Sequence, residues 1–206
     1  MAHFVLSFMF LITLTIFGFL DKIESRSNAR MYLEAQCQTA VYHELCIETL
    51  LPYVANNNVL GPEQLARVSL VVYLTKARQT KEYVNMVAKH LNETNHGNDQ
   101  AIEECMRQIK DGVDQITLSV KEFQKMGETA EENFVLHEGN VQSWVSTALT
   151  DADTCVDGLL GDEIGGKEKA IIRAKVLNVK QLASNSLVLF NRFSSRHRAS
   201  HIVKNP

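Results

Sequence analysis

Apolar residues recur every three, four or seven positions over four long stretches of this chain, which is the spacing of one face of an α-helix. In the clearest stretch the apolar positions are Phe134, Val141, Val145, Ala148, Ala152, Cys155 and Leu159. The small residues among them permit close approach of a second helix. The opposite face carries Asp151, Thr154 and Asp157, which a core does not need. This pattern predicts a helix over about residues 130–160 with one buried face.

Three further stretches, at about residues 63–91, 99–126 and 167–193, show the same periodicity. Their inward positions are Ala66, Leu70, Tyr73, Ala77, Thr80, Val84, Val87 and Leu91, then Ile102, Cys105, Ile109, Ile116, Val120 and Phe123, then Ile172, Val176, Val179, Ala183, Phe190 and Phe193. Strand patterns are nearly absent, and breaks fall at residues 92–98, at Gly127 and at the glycines between 161 and 166. We therefore predict an all-α fold, an up-down-up-down four-helix bundle with short loops.

The segment before the bundle predicts a small helical hairpin. Residues 31–51 form two short helical patterns, one around Cys37 and one around Cys46. Pro52, the three asparagines at 56–58, Gly61 and Pro62 then predict a loop that leads into the bundle.

The N-terminus carries an uncharged apolar run from Phe4 to Phe17. This run is shorter than the ~20 residues that span a bilayer, which favours a secretory signal peptide over a membrane anchor. Ser27-Asn28-Ala29 fits the small-x-small pattern of a cleavage site. We therefore predict a signal peptide over residues 1–29, a secreted mature protein, and no membrane contact after cleavage.

The formal net charge of the chain is −3, and removal of residues 1–29 takes away two acidic and two basic residues and leaves it unchanged. This near-neutral balance argues against a nucleic-acid-binding protein, which usually carries a basic face. The segment 192–204 is locally basic. We predict that residues 196–206 form a frayed basic tail, with a weak electrostatic contact as the alternative.

The four cysteines, Cys37, Cys46, Cys105 and Cys155, favour two disulfides over a zinc site. An even cysteine count in a secreted chain implies disulfides, and no Cys-x-x-Cys pair supports zinc. Three connectivities are possible, and the short spacing favours Cys37 with Cys46, which leaves Cys105 with Cys155. The start of the second long helix and the end of the third are adjacent in an antiparallel pair, which agrees with this choice. We predict no metal and no cofactor.

No arrangement of side chains in the sequence indicates catalysis. The His-Glu pairs form no HExxH motif, and no Gly-x-Ser-x-Gly turn is present. Adjacent carboxylates such as those of Glu103 and Glu104 point in different directions on a helix, so they are poor acid/base partners. We therefore predict a protein that is not an enzyme.

One N-glycosylation sequon, Asn92-Glu93-Thr94, follows the first long helical pattern. It falls in a predicted loop of a chain that we expect to be secreted. We therefore predict that Asn92 is glycosylated.

The cysteine spacing and two sequence motifs resemble those of the plant invertase and pectin methylesterase inhibitor family. Eight residues separate the first two cysteines and 49 separate the last two. The motifs are NVQSWVSTALTDADTCVDG at residues 140–158 and LASNSLVLFNRF at residues 182–193. The resemblance implies a four-helix bundle with an N-terminal hairpin, and disulfides that join the first to the second and the third to the fourth cysteine. We accordingly assign an inhibitor domain to residues 30–195.

The same resemblance implies an inhibitor of pectin methylesterase in the plant cell wall, with acid invertase of the wall or vacuole as the alternative target. Invertase inhibitors of this family carry Pro-Lys-Phe between the second and third long helices. This chain has KMGETAEENF at residues 125–134, without proline, and its 140–155 segment resembles pectin methylesterase inhibitors. We therefore expect a one-to-one complex in the apoplast that covers the enzyme's pectin-binding cleft.

The family's contact positions carry over to the two long helices that hold the last two cysteines. Acidic positions one turn apart correspond to Asp111 and Asp114, and a threonine before the fourth cysteine corresponds to Thr154. A further acidic position of the family is Arg107 here, which alters one polar contact, and Asp157 is an additional candidate. We predict that these five residues bind the partner.

Overall fold

The structure is a computed structural model that describes residues 24–57, 61–93, 99–126, 131–160 and 166–204. Within these ranges the backbone forms six helices and no strand. Helix α1 covers residues 24–37, and the others are α2 (His43–Asn57), α3 (Pro62–Glu93), α4 (Gln100–Met126), α5 (Glu131–Gly158) and α6 (Gly166–Lys204). None of these helices has an apolar stretch long enough to cross a bilayer.

Helices α3 to α6 form a closed ring of four. Helix α4 packs against α3 and α5, and α6 packs against α5 and returns to α3. Helices that are consecutive in the chain are therefore neighbours in space, as short connections require. The predicted all-α fold, an up-down-up-down four-helix bundle with an N-terminal helical hairpin, is confirmed.

The helical periodicity identified the core correctly. Every predicted inward residue of the four long helices is buried except Leu91 and Val120, which are half-buried. Three aromatic rings, those of Phe123, Phe190 and Phe193, meet with centroids 5.4 to 6.2 Å apart in tilted or edge-to-face pairs, the geometry that aromatic quadrupoles favour.

The hairpin is joined to the bundle by polar side chains of α6. Asn185 is buried, and its amide accepts a hydrogen bond from the Tyr42 N–H (3.3 Å) and donates one to the Tyr42 carbonyl (2.9 Å). Arg192 donates to the carbonyls of Ala35 and Gln36 at 2.9 and 3.0 Å, near the C-terminal end of α1, where a cation also complements the helix dipole. The motif at residues 182–193 therefore holds the hairpin in place.

Both predicted disulfides are present. Cys37 and Cys46 close the hairpin with their Cα atoms 6.0 Å apart. Cys105 in the first turns of α4 and Cys155 in the last turn of α5 are joined with their Cα atoms 4.5 Å apart. No free cysteine occurs in the described residues.

The structure departs from the prediction at Pro52, which the sequence pattern assigns to a loop. Pro52 lies inside α2, which continues to Asn57. A proline inside a helix removes one backbone hydrogen bond and crowds the preceding turn. Here Leu51 and Val54 on the same helix are buried against the hairpin core, and this tertiary burial holds the helix beyond the proline.

A second departure concerns the end of α6, which the sequence pattern predicts near residue 193 with a frayed tail beyond residue 195. The helix continues to Lys204, so the predicted boundary falls inside it. His197 stacks on Phe134 with ring centroids 3.9 Å apart, and Arg198 donates to both carboxylate oxygens of Glu138 at 2.6 and 2.8 Å. These long-range contacts explain why the basic segment stays helical.

Some predictions fall on residues that the structure does not describe. The signal-peptide prediction for residues 1–29 meets the described range only at 24–29, where Ala29 packs in the hairpin core with 6% of its surface exposed. The predicted turns at residues 127–130 and 161–165 lie outside the described ranges. The signal peptide, its cleavage site and the domain limits stay predictions.

Candidate functional site

The pair of helices α4 and α5 carries the predicted partner-binding residues and is held in a defined register. The disulfide between Cys105 and Cys155 joins one end of the pair. Two turns further along α4, a side chain at Gly112 would have its Cβ 3.7 Å from the Cα, Cβ and carbonyl oxygen of Ala148. These are ordinary van der Waals distances, so the two helix backbones pack closely here and leave little room for a side chain larger than a methyl group.

The outer face of α4 carries a row of exposed side chains whose charges alternate in sign. Arg107 pairs with Glu104 and lies 3.4 Å from the Asp111 carboxylate, while Lys110 lies 3.4 Å from that of Asp114. The side chains of Asp111 and Asp114 are 43% and 66% exposed. The structure thus brings together Arg107 and Asp111, whose proximity the spacing of four residues allows but does not require.

Asp151 extends this cluster from α4 to α5. It is half-buried, and its Oδ2 atom has no hydrogen-bond partner among the described residues. Burial raises the pKa of Asp151, the charge of Asp111 raises it further, and Arg107 offsets part of the rise. Asp111, Arg107 and Asp151 therefore lie close enough to act on one another. The sequence pattern placed Asp151 on the polar face but did not identify it as a site residue.

Thr154 and Asp157 occupy different parts of the exposed face of α5. The Thr154 hydroxyl donates to the carbonyl of Thr150 at 2.9 Å, a bond within its own helix that leaves the oxygen free to accept. Asp157 lies near Lys180 of α6: the pKa of Lys180 is raised chiefly by its hydrogen bond to Asp153, with a smaller effect from Asp157. Asp157 also follows Asp153, the partner of Lys180, by one helical turn, which places it on the α6 side of α5.

A shallow groove borders this cluster on the α3 side. It has a volume of about 760 Å³, and Arg107, Lys110 and Asp114 contribute to its wall together with Lys81 and Glu82 of α3. Charged side chains dominate the wall, and within the described ranges no group of three His, Cys, Asp or Glu side chains could hold a metal ion. The arrangement suits contact with a polar macromolecular surface.

A buried carboxylate stabilises the other half of the α4–α5 pair. Glu122 has 6% of its surface exposed, and its carboxylate accepts hydrogen bonds from Lys125 (2.8 Å), His137 (2.8 Å) and Asn140 (2.7 Å). Lys125, then His137 and then Asn140 lower the pKa of Glu122 to about 2, against the opposing effect of burial. Two of these donors come from α5, so Glu122 joins the helices at a point remote from the disulfide.

The sequon residue Asn92 is exposed in the last turn of α3, whereas the sequence pattern predicts a loop there. Thr94 of the same sequon lies outside the described residues. Exposure of Asn92 is compatible with modification, and glycosylation stays a prediction.

Comparison with known proteins gives matches over most of the chain. A model of the family described as plant invertase/pectin methylesterase inhibitor matches residues 31–189. Pectinesterase inhibitor 9 of Arabidopsis thaliana is 34% identical over 187 residues, which cover 90% of this chain and 92% of the relative. Pectinesterase inhibitor 11 of the same plant is 34% identical over 167 residues, which cover 81% of this chain and 82% of the relative. A 21 kDa protein of Daucus carota is 31% identical over 179 residues, which cover 84% of this chain and 89% of the relative.

Two solved structures have a similar fold. A crystal structure of a pectin methylesterase inhibitor from Arabidopsis thaliana has a TM-score of 0.51 and 16% identity, covering 78% of this chain and 95% of the other. A mutant form of such an inhibitor has a TM-score of 0.50 and 18% identity, covering 77% of this chain and 95% of the other. At these identities the similarity supports the helical bundle alone.

Proposed function

Because this chain belongs to the plant invertase/pectin methylesterase inhibitor family, we propose that it is a protein inhibitor of a pectinesterase, the enzyme also called pectin methylesterase. It is then not itself an enzyme. The observation that carries the proposal is the similarity of nearly the whole chain to proteins named pectinesterase inhibitors. The absence of Pro-Lys-Phe from residues 125–134 also favours pectinesterase over invertase as the target.

The proposed contact surface lies on the outer sides of α4 and α5. We define it as Arg107, Asp111, Asp114, Asp151 and Thr154, and we call it the α4–α5 contact surface. The disulfide between its two helices and the buried bonds of Glu122 support a rigid surface, which lowers the ordering cost of binding. Asp157 stays a candidate at the α6 edge of this surface.

The charges on the α4–α5 contact surface are suited to exchange partners. Asp111 and Asp114 form ion pairs that are exposed to water, and such pairs are weak because solvent screens them. A target residue that replaces Arg107 or Lys110 as the partner of these carboxylates therefore displaces little existing energy.

We further propose that the protein acts outside the cell, in the plant cell wall. Two disulfides suit an oxidising compartment, and the apolar run at residues 4–17 suits a secretory signal. The exposed side chain of Asn92 is accessible for glycosylation in the secretory pathway.

The test is a titration of plant pectinesterases with the mature, oxidised protein, followed by methanol release at about pH 6. The proposal predicts saturable inhibition at one inhibitor per enzyme. The double variant Asp111→Lys/Asp114→Lys should raise the inhibition constant by about tenfold or more, because two cations then face the groups of the target that pair with the carboxylates. The matched reversal Glu34→Lys/Glu48→Lys, on exposed residues of the hairpin, should change the inhibition constant less than about twofold.

A parallel titration of cell-wall and vacuolar invertases, followed by hexose release at about pH 5, tests the alternative target. Inhibition of invertase alone would overturn the proposal and would place the predicted contact site in residues 127–134. A folded protein that inhibits neither enzyme class would also overturn it. Equal loss of inhibition in both double variants would remove Asp111 and Asp114 from the contact surface.

A further inference from the structure

Charge is segregated between the two halves of the bundle. Helices α3 and α6 together carry 14 Lys and Arg residues and four Asp and Glu residues. Helices α4 and α5 together carry four basic and 11 acidic residues, and α5 has no Lys or Arg at all. Because α3 and α6 are neighbours on the side opposite α4 and α5, the bundle has one basic half and one acidic half.

Part of the basic excess is neutralised by contacts inside the bundle. Lys169 pairs with Asp99 at 2.8 Å, Lys180 pairs with Asp153, and Arg198 pairs with Glu138. Two exposed lysines at the seam between α3 and α6, Lys76 and Lys175, have no acidic partner among the described residues. These two ammonium groups are therefore available to an external anion.

Aromatic rings lie beside both lysines. Lys76 lines an open groove of about 400 Å³ between α2, α3 and α6, together with Tyr53, which is 40% exposed. Glu48 is an acidic member of the same wall and forms no ion pair with Lys76 in the described structure. Further along the seam, Lys175 of α6 lies over the ring of Tyr83 of α3, with its Nζ atom 4.6 Å from the centroid.

The Lys76 groove and the Lys175–Tyr83 pair follow one another along α3. Lys76 and Tyr83 are seven residues apart on α3, which places them on the same helix face about 10 Å apart along the axis. A chain of acidic sugars has the matching chemistry, since each sugar ring offers an apolar face to an aromatic side chain and each carboxylate offers an acceptor to an ammonium group.

The open groove at Lys76 and the Lys175–Tyr83 pair further along the α3–α6 seam form one surface, which we call the groove. We propose that this surface binds a polyuronate with free carboxylates, namely a demethylesterified stretch of pectin. The inference rests on the proposed function, because hydrolysis of the methyl esters by the target enzyme leaves carboxylates on the polymer. The groove lies on the side of the bundle opposite the α4–α5 contact surface, so an inhibitor anchored to the product polymer keeps that surface free. The groove then retains the inhibitor where pectinesterase has already acted.

Binding of the whole mature, oxidised protein to polygalacturonate, measured by calorimetry at low salt and at about 0.15 M salt, tests the groove. Fully methylesterified pectin and poly-glutamate are the comparison polymers. The inference predicts binding to polygalacturonate that weakens with salt and is at least about tenfold weaker for both comparison polymers. The variant Lys76→Gln/Lys175→Gln should weaken binding by about tenfold, since it removes two exposed charge contacts.

The matched control is Lys89→Gln/Lys121→Gln, which removes the same charge from exposed residues of α3 and α4. It should change the dissociation constant for polygalacturonate by less than about twofold. An equal loss in both double variants, or equal binding to poly-glutamate, would show that the basic half of the bundle binds any polyanion without specificity, and would overturn the inference.

Inhibition of pectinesterase by Lys76→Gln/Lys175→Gln separates this inference from the proposed function. We expect unchanged inhibition, because the groove and the α4–α5 contact surface lie on opposite sides. A protein that inhibits pectinesterase but does not bind polygalacturonate would overturn the groove alone. A protein that binds polygalacturonate but inhibits no pectinesterase would overturn the proposed function and leave a polyuronate-binding protein.

Discussion

The hydrogen bonds of Glu122 make a quantitative prediction about how the α4–α5 pair is stabilised. The change to make is Glu122→Gln, which keeps the shape of the side chain and removes its charge. His137 and Asn140 of α5 donate to one carboxylate oxygen, and Lys125 donates to the other. Because the carboxylate can only accept, His137 carries its proton on Nδ1 in this arrangement.

The magnitude follows from the three bonds. Hydrogen bonds to a charged group contribute about 1.5–3 kcal/mol each and neutral ones about 1 kcal/mol. In the Glu122→Gln variant the amide oxygen still accepts from α5, but the amide N–H group then faces the ammonium of Lys125, which is 58% exposed and escapes to water. We therefore expect Glu122→Gln to lower the free energy of unfolding by about 2 kcal/mol near neutral pH.

The pH dependence has a definite sign. The pKa of Glu122 is lowered to about 2 in the folded protein, below its ordinary value of 4.5. A lowered pKa gives stability that is fully present above the unfolded pKa and is lost as the pH falls toward the folded one. The difference in unfolding free energy between the parent protein and Glu122→Gln should therefore shrink as the pH falls from about 5 to about 2.

Urea unfolding followed by far-UV circular dichroism, with both disulfides intact, measures this difference. The control is Glu82→Gln on α3, whose carboxylate is 72% exposed and lies 3.8 Å from Lys81. This control should change the free energy of unfolding by less than about 0.5 kcal/mol. An effect of Glu122→Gln as small as that, or one that stays constant between about pH 6 and pH 3, would refute the reasoning.

Two further predictions concern contacts that only the folded protein reveals. Arg198→Gln should lower the free energy of unfolding by about 1–3 kcal/mol, because it leaves the Glu138 carboxylate, 3% exposed, with Gln142 at 3.4 Å as its remaining donor in the described structure. The control is Arg78→Gln, since Arg78 is exposed and donates to the hydroxyl of Thr117 at 3.3 Å; an effect of Arg198→Gln no larger than that of the control in the same urea assay would contradict this. Gly112→Ala should be neutral or stabilise the protein by up to about 1 kcal/mol, since its Cβ meets Ala148 at an ordinary contact distance of 3.7 Å and alanine favours a helix. Gly112→Leu should instead destabilise by about 1–3 kcal/mol by overpacking, and thermal unfolding that ranks the two variants in the reverse order would refute the close-packing argument.

Much of the fold was determined by local and periodic features of the sequence. The spacing of three and four residues identified the buried faces of α3 to α6, because a helix that buries one face must repeat its apolar residues at that interval. The pairing of Cys105 with Cys155 also followed, since antiparallel neighbours bring the start of α4 to the end of α5. The position of Asp111 and Asp114 on one exposed face follows from their spacing alone.

Other features were decided by contacts between residues that are distant in the chain. Pro52 breaks a helix on local preference, yet the burial of Leu51 and Val54 against the hairpin core carries α2 to Asn57. The extension of α6 depends on Phe134 and Glu138, about 60 residues before their partners in the sequence.

The candidate site shows the same division between sequence and structure. Helical spacing placed Asp111, Thr154 and Asp157 on polar faces, but it did not show that Asp151 approaches Asp111 or that Asp157 turns toward Lys180. Those relations depend on the rotation and register of neighbouring helices. The sequence by itself determined which faces of the helices are buried and which cysteines pair, because both follow from short-range periodicity and chain order. The tertiary structure alone decided which charges of different helices meet, because the energy of such a pair depends on the distance between side chains that only the packing of the helices brings together.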